Sequence, residues 1–115
     1  MPHFLHQAAY TPEAMARLVA NPQDRFEAVR GPIEKLGGHI KASYLAFGEY
    51  DVVVITEFPD NVSAAAIAMA FAAGGALKSE RTTLLMTAAE GVEAMKKAAT
   101  CGYKSVTAGA SAARP

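Results

Sequence analysis

A single cysteine, no charge excess of either sign and no apolar run approaching the ~20 residues of a membrane span are the first features of this 115-residue sequence. One cysteine excludes an internal disulfide, so the domain must be held by its core alone. Cys101 follows a helical stretch far in sequence from any histidine, which argues against a nucleophile and for a free, partly buried thiol. Eleven basic residues balance eleven acidic ones, and their signs alternate along the chain as on ordinary solvated surface. A nucleic-acid partner would call for a basic stripe, and none is visible. The start, Met1-Pro2-His3-Phe4, has no basic region and no signal-peptide apolar stretch. The expectation is a cytoplasmic protein with neither a membrane nor a nucleic acid as partner.

What is present suits one domain. Fifty-one per cent of the residues are hydrophobic, and a chain of this length buries roughly two thirds of its unfolded surface. A first strand is expected over 3–10. Thr11-Pro12-Glu13 then supplies an N-cap, a proline at the first helical position and an acid in the first turn. Asn21-Pro22-Gln23-Asp24 repeats the signal ahead of Phe26, Val29, Ile33 and Leu36 at helical spacing, with Pro32 expected to kink that helix. Strands over 39–47 and 51–58 flank Gly48-Glu49, read as a tight hairpin. Pro59-Asp60-Asn61 opens an alanine-rich helix over 62–73, whose small side chains suit close packing on a sheet. Leu77 to Met86 is the fourth strand, and Thr87-Ala88-Ala89-Glu90 is a capping box for a last helix. The domain is therefore expected over 1–102, followed by an Ala/Gly/Ser-rich tail over 103–115 that is expected to be disordered.

The order β-α-β-β-α-β plus a terminal helix is the ferredoxin-like split βαβ pattern of the α+β class. Right-handed crossovers give a four-stranded antiparallel sheet in order 4-1-3-2 with helices on one face. The third strand, Val52-Val53-Val54-Ile55, is apolar towards both faces, whereas a solvated face would alternate. In the second strand, Ile40, Ala42 and Tyr44 are expected on one side, with Leu45 and Phe47 on the other. Something must cover the face without helices: another subunit, a ligand, or both.

Phe47-Gly48-Glu49-Tyr50-Asp51, together with Tyr10-Thr11, Arg30, Gly37-Gly38, Tyr44 and the stretch from Gly75 to Thr82-Thr83, resembles the GYD domain family of small bacterial and archaeal proteins. The resemblance runs over about 2–98. It attaches no activity. The family is similar to the dimeric α+β barrel proteins, in which two ferredoxin-like sheets face one another, so the resemblance implies a homo-oligomer. Relatives of that barrel include cofactor-free monooxygenases, isomerase-like enzymes and ligand-sensing domains, among which fold cannot choose.

Topology gathers several of these positions at one end: Tyr10 closing the first strand, Gly48 to Tyr50 turning the hairpin, and Gly74-Gly75 before the fourth strand. A cleft lined by Tyr10, Tyr50 and Asp51 could take a polar small molecule. Equally, Asp51 could accept hydrogen bonds from turn amides or from the start of the first helix while the tyrosines pack. Tyr44 and Arg81, both mid-strand, could line a cavity between two sheets, with the guanidinium forking a carboxylate. The plainer alternative is an interface tyrosine and an exposed arginine. His3 and His6 leave opposite faces of their strand, and His39 lies roughly 10 Å away at ~4.8 Å per strand. They do not converge on one ion, so no metal and no cofactor is expected. Gly74-Gly75 follows a helix, the wrong end for a phosphate.

The sequence thus points to a homo-oligomeric, cofactor-free domain that binds a small molecule or serves as an assembly module. A small enzyme using Tyr44, Asp51 or Arg81 for proton-transfer or oxygenation chemistry is the first alternative, and a regulatory protein-binding partner the second.

Overall fold

The computed structural model describes residues 1–106; part of the tail expected at 103–115 therefore lies outside the described residues. Eight elements follow in the order β1 (His3–Tyr10), α1 (Pro12–Ala20), α2 (Arg25–Lys35), β2 (His39–Leu45), β3 (Val52–Glu57), α3 (Asn61–Ala73), β4 (Leu77–Leu85) and α4 (Ala88–Ala98). The strands form one antiparallel sheet in order β2-β3-β1-β4, which is the expected 4-1-3-2 read from the other edge. The described residues divide into two compact units, the first 1–85 and the second beginning at residue 86. No helix among the described residues is long and apolar enough to cross a membrane.

The caps act as their residue types dictate. Thr11 accepts from the amide of Ala14, Asp24 from those of Phe26 and Glu27, and Asp60 from that of Ser63. Helix α2 runs on through Pro32. Within the second unit, Thr87 and Glu90 close the capping box at the start of α4. Cys101 is exposed, not partly buried as expected: it stands beyond the C-cap of α4, past the last helical turn that could hold it on a packed face.

The core of the first unit lies between the sheet and the helices. Phe4, Ile33, Phe58, Ala64 and Ile67 are buried together, with Val29, Leu36, Ile40 and Phe71 packed around them. The rings of Phe4 and Phe58 meet edge to face at 6.1 Å, a favourable quadrupole arrangement. Gly37 and Gly38 admit this packing. Gly37 has a φ of 86°, and a Cβ on Gly38 would come within 2.4 Å of the Phe58 ring.

Directly paired residues share a face, so the register sorts the sheet. Phe4, His6 and Ala8 of β1, with Thr56, Val54 and Val52 of β3 and Leu84, Thr82 and Glu80 of β4, face the helices. The open face carries the rows Ala42–Ile55–Leu5–Thr83 and Tyr44–Val53–Gln7–Arg81. An irregularity in β2 between Ile40 and Ala42 corrects the expected grouping. Ile40 pairs with Thr56 and joins the core, whereas Ala42 and Tyr44 fall on the open face. A bulge inserts a residue and so shifts every later side chain of that strand to the other side.

The β2–β3 connection is also wider than a two-residue turn. Strand β2 ends at Leu45 and β3 starts at Val52, and the Ala46 amide donating to the Asp51 carbonyl (2.7 Å) closes the loop. Gly48 takes a φ of 145° within it, and Phe47 stands fully in water.

Candidate ligand groove between the sheet and helices α2 and α3

Between the helix-facing side of the sheet and helices α2 and α3 runs a groove of about 390 Å³. Its walls are mostly aliphatic and aromatic: Val52 and Val54 from β3, Val29 and Ile33 from α2, Ile67 and Phe71 from α3. The ionisable groups on its lining are His6, Tyr10, Arg25 and Glu80. A mostly apolar concavity with a few polar groups is the usual make-up of a small-molecule site.

His6 is 7 % exposed, and both ring nitrogens are engaged. Nε2 lies 2.8 Å from the hydroxyl of the fully buried Thr56, and Nδ1 lies 3.2 Å from that of Thr82 on the edge strand. The Phe58 ring stands edge-on to the imidazole at 6.4 Å. Burial disfavours the charged form and lowers the His6 pKa to about 4, so the imidazole is neutral at pH 7.

Tyr10 ends β1 at the other end of the groove. Burial raises its pKa; the Arg25 charge opposes that rise and Asp51 adds to it. Arg25, the first residue of α2, donates from Nη1 to Oε1 of Gln23 at 3.1 Å. Glu80 pairs with Ala8 on β4, and burial raises its pKa as well.

Asp51 does not cap α1. Its Oδ2 accepts from the backbone amide of Tyr10 at 2.9 Å, and its own amide donates to the Ala8 carbonyl at 2.8 Å. The amides at the start of α1 are served by Thr11 instead. Beside them, the Thr11 amide donates to the Ala76 carbonyl at 2.9 Å, so the end of β1 and the start of β4 do meet, as the topology requires. Tyr10 therefore lines the groove, Asp51 fixes the backbone from which it projects, and Tyr50 is half-buried in the loop outside the lining.

Tyr44 and Arg81 both belong to the open face and to one transverse row, with Val53 and Gln7 between them. They stand on opposite edge strands, roughly 14 Å apart at ~4.8 Å per strand, and both are exposed. Also on that face, Glu57 lies 3.9 Å from His3 Nε2 and 3.7 Å from Lys41 Nζ. Among the described residues no cluster of His, Cys, Asp or Glu could hold a metal ion.

The family model described as "GYD domain" matches residues 4–100. The chain belongs to the GYD domain family. Within this GYD domain, the Gly-x-Tyr-Asp stretch at 48–51 forms the β2–β3 loop, and its aspartate holds the end of β1. A solved structure described as "crystal structure of FFRP-DM1" is 18% identical and covers 75% of this chain and 100% of its own, with a TM-score of 0.47. No curated protein matches.

Sequence reasoning missed His6, Arg25 and Glu80 as groove residues. A signal for His6 existed: once the strand order is granted, it shares the inward face with Phe4 and Ala8, a position where a histidine must find partners.

Proposed function

We propose that this GYD domain binds a small, largely apolar molecule in the groove between the sheet and helices α2 and α3. The observation that carries the reading is the composition of that groove: about 390 Å³ walled mostly by aliphatic and aromatic side chains, with only a few ionisable groups among them. Ala70 of α3 is exposed on the lining, so Ala70→Phe fills the groove without disturbing buried core. A neutral aromatic probe such as 3-phenylpropanol should shift amide resonances of groove residues in the native protein, saturably, and fail to do so in Ala70→Phe. Binding that persists undiminished in that variant would place the ligand elsewhere and end the proposal.

A second reading concerns assembly, and the open face of the sheet favours it. Leu5, Val53 and Ile55 form the centre of that face, apolar and only half-buried in the single chain. A second copy laid against it would remove this surface from water at about 25 cal/mol per Å². On this reading the domain is a cofactor-free homo-oligomer. Light scattering at micromolar concentration tests it: an oligomer that Ile55→Lys splits is expected, and a monomeric native protein would refute it.

A further inference from the structure

Resting on the groove reading, we infer that the ligand class is a small monocarboxylate with an apolar tail, its head held at the Arg25–Tyr10 end and its tail directed towards His6. The deep end of the groove offers no polar handle. His6 has committed one ring nitrogen to Thr56 and the other to Thr82; Val54 is its partner across the sheet, and Ile33 and Ile67 are buried with Phe58, whose ring meets the imidazole. Among the described residues no buried side-chain nitrogen or oxygen lacks a partner. A polar ligand group carried there would lose its water and gain no hydrogen bond in exchange. The buried part of the ligand is therefore apolar.

The other end carries one permanent positive charge. Among the described residues, Arg25 is the only lysine or arginine on the lining. Its hydrogen bond to Gln23 uses one guanidinium nitrogen and a neutral acceptor. None of the ion pairs among the described residues involves Arg25. A guanidinium with free donors presents the planar fork that a carboxylate matches in two parallel hydrogen bonds. Arg25 lies near enough to Tyr10 for its charge to act on the phenol, and that phenol stays protonated through the neutral range, a donor for the same head group.

Glu80 sets the direction. It faces the groove from β4 opposite Ala8, one inward position deeper along β1 than Tyr10. An anionic head placed that deep would meet a carboxyl group with no cation beside it on the lining, whereas a head at the mouth meets Arg25 first. A second anionic charge on the tail is rejected for the same reason, which limits the class to monoanions.

Three ligands of one shape separate the possibilities by calorimetry on the intact protein: 3-phenylpropanoate, 3-phenylpropanol and 3-phenylpropylamine. The acid should bind about tenfold or more tightly than the alcohol, the scale of one charge-assisted hydrogen-bonded pair, and the amine more weakly than either. Arg25→Gln, at an exposed site where folding is not at risk, should bring the acid down to the alcohol's affinity. Glu80→Gln should tighten the acid and let phenylsuccinate bind. Equal affinity for acid and alcohol, or a preference for acid that survives Arg25→Gln, would overturn the ligand class while leaving the groove as the site. Failure of both acid and alcohol to bind would overturn the groove reading itself.

Discussion

At Asp51, backbone and side chain are both committed to β1: the amide to Ala8, the carboxylate to Tyr10. Removing the carboxylate leaves the Tyr10 amide without its acceptor in a half-buried place. Asp51→Ala should therefore cost about 1–2 kcal/mol in denaturant unfolding. Asp51→Asn should cost less, because an amide oxygen can still accept. The same loss should blunt ligand affinity, since the Tyr10 hydroxyl projects from the tethered residue.

His6 gives the molecule a pH dependence of definite sign. Well above pH 6.5 the imidazole is neutral in folded and unfolded chain alike, and it contributes no slope. As pH falls from 6.5 towards 4 the unfolded chain takes up the proton while the folded one, with its His6 pKa lowered to about 4, does not. Stability should drop through that window by about 3 kcal/mol in total, a loss complete below pH 4. Urea unfolding at pH 7, 5.5 and 4.5 checks this, and His6→Gln should flatten that part of the profile.

Among the elements, the segment joining α2 to β2 is the least tolerant of change. Any side chain on Gly38 would occupy the space of the Phe58 ring, which is fully buried and cannot retreat. Gly38→Ala should destabilise the domain by about 1–3 kcal/mol, as overpacking of a filled core does, with no effect expected from Gly31→Ala beyond helix propensity because open space surrounds Gly31. Thermal melts of the two variants make the comparison. The caps at Thr11, Asp60 and Thr87 were legible in the sequence, because each depends on neighbours along the chain. Strand order was legible too, since crossover handedness leaves few choices. The bulge after Ile40 was not: alternation in Ile40-Lys41-Ala42 fits either face, and only pairing with Thr56 and Ile55 decides it. The groove was hidden for a related reason. It depends on how far α2 and α3 stand apart above the sheet, and hydrophobic periodicity reports which side of a helix is buried but not the gap it leaves. Asp51 fell between the two cases: its structural role was readable, its partner was not.

For the first unit as a whole, the two faces of one sheet have different fates. The inner face is closed by α2 and α3 except along the groove; the outer face presents Leu5, Val53 and Ile55 between charged and polar margins. If ligand binding and assembly are both properties of this domain, they use opposite sides of β1 and β3, and variants should separate them. Ile55→Lys should change the mass in solution with the groove still competent for 3-phenylpropanol, and Ala70→Phe should do the reverse. Loss of both properties in either variant would show that the two faces are coupled through the sheet.

The file of side chains Thr82–His6–Thr56 leads from water at the sheet's edge to its centre. In acid, a proton can reach the imidazole past the exposed Thr82 as well as along the groove that His6 lines. Strand β4 reads Lys78-Ser79-Glu80-Arg81-Thr82-Thr83 through its middle and has little apolar surface to resist. The sheet should therefore come apart from one side, like a seam with a known first stitch: hydrogen exchange at pH 5 should release the β4 amides before those shared by β2 and β3.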